Sequence, residues 1–401
     1  MSNIYNELYP FHSWGMKIVR AEGIYLFDEN GRKFIDLTSS ASVANIGYAN
    51  EKVISTMQTQ LDKLIFCPPW CISDEAKELS GKLIRLFPKS LDTILRVTTG
   101  SESVEVALKL AKRYTKRSKF LSFEHSYHGH TIASMAIGMN DGTKKDFLPL
   151  IESDTLKHPQ IANGIDMTES DLSKTLAEIE TRLSTKEYAA FVTETIATSA
   201  GNFMLPKSFF TQLKEICSKY GTLLIIDEVL TGFGRTGRMF SFERFDIQPD
   251  IVCIAKGLGC GYSPIAATIT KKEISEGFDY FATFAWNPLA CKTASAVLDE
   301  YERLDLVNNS EMLGSKALSE LQQKIGGNPN VKEIRGMGLR ISVEFNDEEF
   351  FKKVKDRMLV EGIFSGSADL PSILIISPPL CISLSEMNHV ISSIVNCVNN
   401  E

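Results

Sequence analysis

Short apolar runs, each ending in a glycine or a charge, recur through the middle of the chain. Leu223-Leu224-Ile225-Ile226 ends in Asp227 and Glu228. Ile251-Val252-Cys253-Ile254-Ala255 ends in Lys256 and a glycine-rich segment. Runs this short, apolar at every position, predict strands buried on both faces. The segments Thr93–Thr98, Lys119–Phe123, Tyr188–Glu194 and Pro264–Ile269 have the same character. Helical spacing of apolar residues falls at Asp74–Phe87, Val104–Tyr114, Leu172–Leu183 and Phe209–Tyr220, the last stopped by Gly221. Strands alternating with helices predict an α/β fold: a large domain with a mostly parallel mixed sheet flanked by helices.

The two ends of the chain read differently. Gly23–Asp28 and Lys33–Leu37 flank a turn at Glu29–Arg32, which predicts a hairpin. The small residues Ser39–Asn45 follow, fitting equally a tight loop or a segment that leaves room beside a cleft. From Pro288 a long helix is predicted to about Tyr301. Beyond it, Arg340–Phe345 and Ile373–Ile376 read as strands. Phe350–Val360 and the segment after Ser385 read as helices. The expected division is a large domain over 51–300 and a small α+β domain assembled from 1–50 and 301–401. The stretch from 138 to 170 has no usable periodicity and reads as loop.

Composition narrows the function classes. Hydrophobic residues are 43% and charged residues 23%, an ordinary globular mixture. A net charge of −7 argues against a nucleic-acid surface or a basic membrane patch. No apolar run is long enough to span a bilayer, and the first residues lack a signal-peptide pattern. The eight cysteines are scattered, several inside predicted elements. That suits buried thiols in a reducing cytoplasm. Cys67 and Cys71 have no Cys/His pair to complete a metal site, so no metal is expected.

Candidate chemistry gathers at strand exits, the edge where open α/β sheets bind ligands. An acid at 227 and a lysine at 256 are what pyridoxal 5'-phosphate chemistry requires. A lysine amine forms an imine with the cofactor aldehyde and carries protons. A carboxylate keeps the ring nitrogen protonated, so the ring can absorb electrons. Singly, Asp227 reads as a helix cap and Lys256 as a surface lysine; jointly, each after a buried run, they read as a site. Thr98-Thr99-Gly100-Ser101 before a helix start is a ready anion site, though a plain serine cap looks alike. Tyr127, after the strand Lys119–Phe123, can stack on a flat heterocycle. His128 beside it reads better as a structural loop histidine than as a catalytic one.

The consecutive residues Ile226-Asp227-Glu228-Val229-Leu230-Thr231-Gly232-Phe233-Gly234-Arg235-Thr236-Gly237 and Ala255-Lys256-Gly257-Leu258-Gly259 resemble the class III aminotransferases, which include the ornithine and omega-amine enzymes. The likeness covers nearly the whole chain and is strongest in its middle half. It implies a fold-type I pyridoxal phosphate enzyme, a transaminase, with Lys256 as the catalytic lysine. Gly100 and Ser101 would hold the cofactor phosphate, and Tyr127 and Val229 would cover opposite ring faces. Glu194 would lie close to the cofactor, and Asp227 would pair with the ring nitrogen. Thr283-Phe284-Ala285-Trp286-Asn287-Pro288-Leu289-Ala290 resembles a segment whose threonine reaches the partner subunit's phosphate. Thr283 therefore implies a homodimer with shared sites, while Ala285 and Trp286 replace two glycines. A racemase, an aminomutase or a decarboxylase of the same fold would share these residues. A non-catalytic cofactor-binding regulator would need an extra interaction segment.

Two departures bear on substrate. Many relatives carry a gating glutamate where this chain has Ser199. They also place a carboxylate-binding arginine in a loop that here reads Gly366-Ser367-Ala368-Asp369-Leu370. No Lys or Arg follows Arg357 at all. A bidentate carboxylate clamp is therefore not expected from that loop. An amine, an aldehyde or a larger biosynthetic intermediate is the expected substrate. Arg235 or a partner-subunit arginine is left as the alternative holder of a carboxylate.

Overall fold

The computed structural model describes residues 16–138, 144, 147 and 151–400. The N-terminal residues read for a targeting pattern, and part of the 138–170 stretch, lie outside these.

The centre is a seven-stranded sheet. Its strands in chain order are β1 (Thr93–Val97), β2 (Lys119–Phe123), β3 (Ser153–Leu156), β4 (Tyr188–Thr193), β5 (Leu223–Asp227), β6 (Ile251–Ile254) and β7 (Ala266–Thr270). They lie in the order β1-β7-β6-β5-β4-β2-β3. Only β7 runs antiparallel to its neighbours. Every residue of β4, β5, β6 and β7 is buried, as helices on both faces require of such runs. In the β5–β6 register Asp227 pairs with Cys253, so Asp227 and Lys256 leave the sheet at one edge.

Helix α1 (Gly100–Thr115) explains how one such edge is built. Thr99 caps it, its hydroxyl accepting from the Glu102 amide at 3.2 Å. Val104, Ala107, Leu108 and Ala111 form a buried stripe against the sheet. Burying an apolar side chain of the Val or Leu class contributes about 1.5–3 kcal/mol. That stripe fixes the helix, and its N-terminus is thereby held beside the strand exits.

Boundaries moved where proline intervened. The expected strand from Pro264 begins at Ala266, opposite Val97, two residues after a proline that has no amide to pair. The helix from Asp74 ends at Ile84; Leu86 and Phe87 close three-residue turns ahead of Pro88, which disfavours helix in the residue before it. Edge strand β3 falls in the stretch read as loop. Three of its four residues are only half-buried, so no apolar run marked it.

The terminal segments meet. The strands Ile18–Glu22, Tyr25–Asp28 and Lys33–Asp36 pair antiparallel, and the fourth strand of their sheet, Ile363–Phe364, runs parallel to the third with Ile363 opposite Ile35. A second four-stranded sheet joins Val331–Met337, Arg340–Phe345, Ile373–Ile376 and Gly366–Ser367. Ser39–Ser42 forms a tight left-handed turn, with φ of 47°, 48°, 62° and 60°. Non-glycine residues disfavour this by roughly 1–2 kcal/mol each. Asp36 holds it by accepting the Thr38 amide at 2.7 Å and the Ser40 amide at 3.1 Å.

Candidate active site

The sheet edge opens into a cavity of about 470 Å³. Gly100, Ser101, Tyr127, Glu194, Asp227, Val229 and Lys256 all line it. These residues come from separate segments spanning more than a third of the chain. Thr283 does not line it; it is exposed beside the exposed Phe284.

Asp227 ends β5 with only 4% exposure. One carboxylate oxygen accepts the Val229 amide at 3.0 Å. The other lies 2.7 Å from Nδ1 of the buried His128, whose ring N–H donates to it. His128, read from sequence as a loop histidine, therefore orients the acid. Donors on both oxygens leave the carboxylate fixed in direction, with lone pairs still open to the cavity.

Lys256 follows β6 in a tight turn. Its φ of 26° is sparsely populated for a side chain of this kind. Gly257 makes the turn possible: a Cβ there would lie 2.8 Å from Asn45 Nδ2 and 2.8 Å from Phe233 Cβ. Burial, reinforced by the positive charge of Arg340, lowers the Lys256 amine to about 8. The shift enlarges the neutral fraction, the form an attacking amine needs.

Glu194 lies at the exit of β4. Its carboxylate accepts the Thr198 hydroxyl and, at 3.2 Å, the Thr198 amide. Burial and then the negative charge of Asp227 raise it to about 7. The next acid along, Glu228, has a different task. It accepts from Thr231 Oγ1 at 2.6 Å and the Phe242 amide at 2.7 Å, pinning the glycine loop from inside.

Arg235, left open as a carboxylate holder, is excluded from that role. It is fully buried and donates to Leu339 O at 3.0 Å, Pro378 O at 2.5 Å, Ser39 Oγ at 3.1 Å and Asn45 Oδ1 at 2.5 Å. It ties the glycine loop to both chain ends. A different arginine, Arg340, stands behind the cavity wall. Its Nη2 donates to Thr198 O at 3.1 Å and its Nε to Asn202 Oδ1 at 2.8 Å. Sequence reading placed Arg340 only in a strand. The polar alternation Arg340, Ser342, Glu344 carries no signal for it, since it reads as a solvated face.

The site fits pyridoxal phosphate on observations of the chain itself. Gly100 must stay bare, since a Cβ there would lie 2.9 Å from Val229 Cγ1. Gly100 and Ser101 open a capped 16-residue helix, where amides lack intrahelical partners and the dipole favours anions. The lysine amine makes no hydrogen bond among the described residues. Opposite the anion site sits an oriented carboxylate that can hold a cationic ring nitrogen.

Comparison with known proteins agrees. The sequence model of the class-III aminotransferases matches residues 10–398. The acetylornithine aminotransferase of Methanopyrus kandleri is 33% identical over 336 residues, covering 83% of this chain and 81% of that protein. That of Archaeoglobus fulgidus is 31% identical, covering 94% of each. The structure of an (S)-enantioselective omega-transaminase from Thermomicrobium roseum superposes with a TM-score of 0.90 at 29% identity, covering 100% of this chain and 95% of that one. With a matched family model spanning nearly its whole length and a cavity that fits the family's cofactor, this chain belongs to the class-III aminotransferases, pyridoxal phosphate enzymes of α/β fold.

Proposed function

We propose that this chain transfers an amino group from an amine or amino acid to a carbonyl acceptor, with Lys256 as the catalytic residue and Asp227 as the anchor of the cofactor ring. The observation that carries the assignment of roles is the convergence of a depressed lysine amine and an oriented, buried carboxylate in one cavity. Bound there, pyridoxal phosphate supplies an aldehyde that accepts and releases nitrogen, and a ring that absorbs the electrons of a substrate carbanion. The chain does the rest. Lys256 Nζ takes a proton from the substrate carbon and returns it one position away. Asp227 stabilises positive charge at the ring nitrogen, and His128 keeps Asp227 turned toward it. The amides of Gly100 and Ser101 bind the phosphate. Tyr127 and Val229 confine the ring between them, which holds the breaking bond in one orientation. Glu194, held by Thr198, would lie beside the ring.

The same reading extends to the assembly. Phe66 and Phe284 pack with ring centroids 5.4 Å apart, and both are exposed. Trp70 at 81%, Ile72 at 90% and Phe281 at 64% exposure lie on the same two chain segments. Apolar residues this exposed mark an interaction surface. A homodimer would cover them and carry Thr283 toward the partner's phosphate site. The division into residues 51–300 and a small domain from 1–50 and 301–401 accords with the pairing of Ile363 and Ile35. A cytoplasmic location is supported by eight cysteines outside any disulfide, five of them buried. The relatives named for acetylornithine support an amine derived from an amino acid as donor.

The test is a single-turnover half-reaction with the purified holoenzyme and a panel of amine donors. An aminotransferase loses its visible absorbance as the cofactor takes up nitrogen, and releases one equivalent of carbonyl product. Product formation with the cofactor spectrum unchanged would reject this function.

A further inference from the structure

Two buried arginines flank the segment 198–202, and the fold treats them differently. Arg335, 4% exposed, donates from Nε to Gly201 O at 2.8 Å. It also pairs with Glu333 at 2.8 Å and Glu344 at 2.5 Å. Its charge is neutralised within the fold. Arg340 is 7% exposed and has no carboxylate at ion-pair distance among the described residues. Its two hydrogen bonds go to a backbone carbonyl and an amide oxygen, both neutral. A buried guanidinium without a counter-ion is costly, because arginine does not escape by losing its proton. Burial brings it down only to about 10, so it stays charged at neutral pH.

Arg340 does not itself line the cavity; it stands against residues that do. Nε and Nη2 are occupied, which fixes the plane of the guanidinium. Nη1 makes no hydrogen bond among the described residues, and it is not one of the enclosed orphan atoms, as Arg335 Nη2 and Arg235 Nε are. It therefore keeps accessible surface. The residue that receives Nη2, Thr198, lines the cavity, as does its neighbour Ser199. Glu194, the acid whose charge acts on Arg340, is turned into the hydroxyl and amide of Thr198. The cavity groups that sense the charge of Arg340 are Glu194 and Lys256. A serine at 199 adds no competing carboxylate to this wall.

We propose that Arg340 is a substrate-binding residue, and that the missing counter-ion is a carboxylate of the substrate. This inference rests on the aminotransferase reading and narrows it. The amino donor or acceptor carries a carboxylate, held through Nη1 of a guanidinium whose other two nitrogens are locked to residues 198 and 202. It keeps the sequence-based expectation that no clamp comes from the loop Gly366–Leu370, and names Arg340 as the holder in place of Arg235 or a partner-subunit arginine. The arginine comes from the strand Arg340–Phe345 rather than from the loop around Asp369.

The test compares wild type, Arg340→Met and Arg340→Lys as cofactor-loaded enzymes. Acetate, succinate and glutarate are titrated by calorimetry, and turnover is measured with 4-aminobutyrate and with butylamine. The expected result is saturable binding of at least one carboxylate to wild type, weakened about 30-fold or more in Arg340→Met. KM for 4-aminobutyrate rises by a similar factor, and kcat/KM falls more for 4-aminobutyrate than for butylamine, which has no carboxylate to lose. Arg340→Lys keeps the charge but loses the planar fork, and is expected to fall between the two. If Arg340→Met does not fold, weakened carboxylate binding by Arg340→Lys with an unchanged cofactor absorbance carries the test. Carboxylates that bind both variants as tightly as wild type, or bind none of the three proteins, would overturn the proposal. So would parallel losses with both amines. If wild type binds carboxylates through Arg340 yet turns over neither amine nor any oxo acid, the aminotransferase reading fails and the arginine assignment stands.

Discussion

His128 Nδ1 lies 2.7 Å from Asp227 Oδ2, and both side chains are buried. The pair spans 99 positions of sequence, from the loop after β2 to the end of β5. With the Val229 amide on the other oxygen, it fixes the carboxylate proposed to hold the ring cation.

Replacing Asp227 by Asn keeps the shape and removes the charge. Loss of one partner of a buried charge pair costs about 3–5 kcal/mol. The expected fall in kcat/KM is therefore on the order of 10²–10⁴, with cofactor still retained at Lys256. Steady-state kinetics with a donor identified in the half-reaction screen would check it. A fall below tenfold would remove Asp227 from the ring nitrogen.

His128→Leu leaves one Asp227 oxygen without its donor. Orphaning a buried acceptor costs about 1–3 kcal/mol, so kcat/KM is expected to drop by roughly 5- to 150-fold. The drop should be smaller than that of Asp227→Asn, and it should vanish in the Asp227→Asn background, because His128 acts through the acid. A double-mutant cycle measures this; additive losses would give His128 a role of its own.

The lowered Lys256 amine sets a pH profile. Cofactor capture needs the neutral amine, which predominates above about 8 here instead of above the ordinary 10.5. The rate at which cofactor-free enzyme gains visible absorbance should rise with pH, pass half-maximum near 8 and then level. A rate still climbing through pH 10 would place the amine in water rather than in the buried cavity.

Glu194 sets a second. Its carboxyl titrates near 7 in the folded protein against an ordinary 4.5. Between those values the folded state holds a proton that the unfolded chain has lost, so this group's contribution falls as pH rises. The penalty is complete above 7 and amounts to roughly 3 kcal/mol. Glu194→Gln, neutral throughout, should gain stability relative to wild type between pH 5 and 8 in the cofactor-free protein. Urea midpoints at the two pH values check it; a gap that does not widen would contradict the burial argument.

What could be read in advance follows from where the signal lies along the chain. Asp227 and Lys256 end consecutive apolar runs, so local order alone put both at the sheet edge. Gly100 and Ser101 sit between a strand and a capped helix, again a local pattern. Arg340 had no such marker. It opens a strand whose alternate residues, Arg340, Ser342 and Glu344, look like a solvated face. Tertiary packing alone buries that face: Asn202 donates to Ser342 Oγ at 2.7 Å and accepts from Arg340 at 2.8 Å. Strand β3 escaped notice for the converse reason, being half-exposed and polar at the sheet margin. The His128–Asp227 contact joins distant segments, and no spacing rule reaches it.

The central claim is that the cofactor is attached at Lys256. Holoenzyme reduced with sodium borohydride and digested should carry the pyridoxyl mass on the peptide containing Lys256, and Lys256→Ala treated alike should carry none. A pyridoxyl mass on another lysine, or on no peptide of a yellow wild-type protein, would contradict the account.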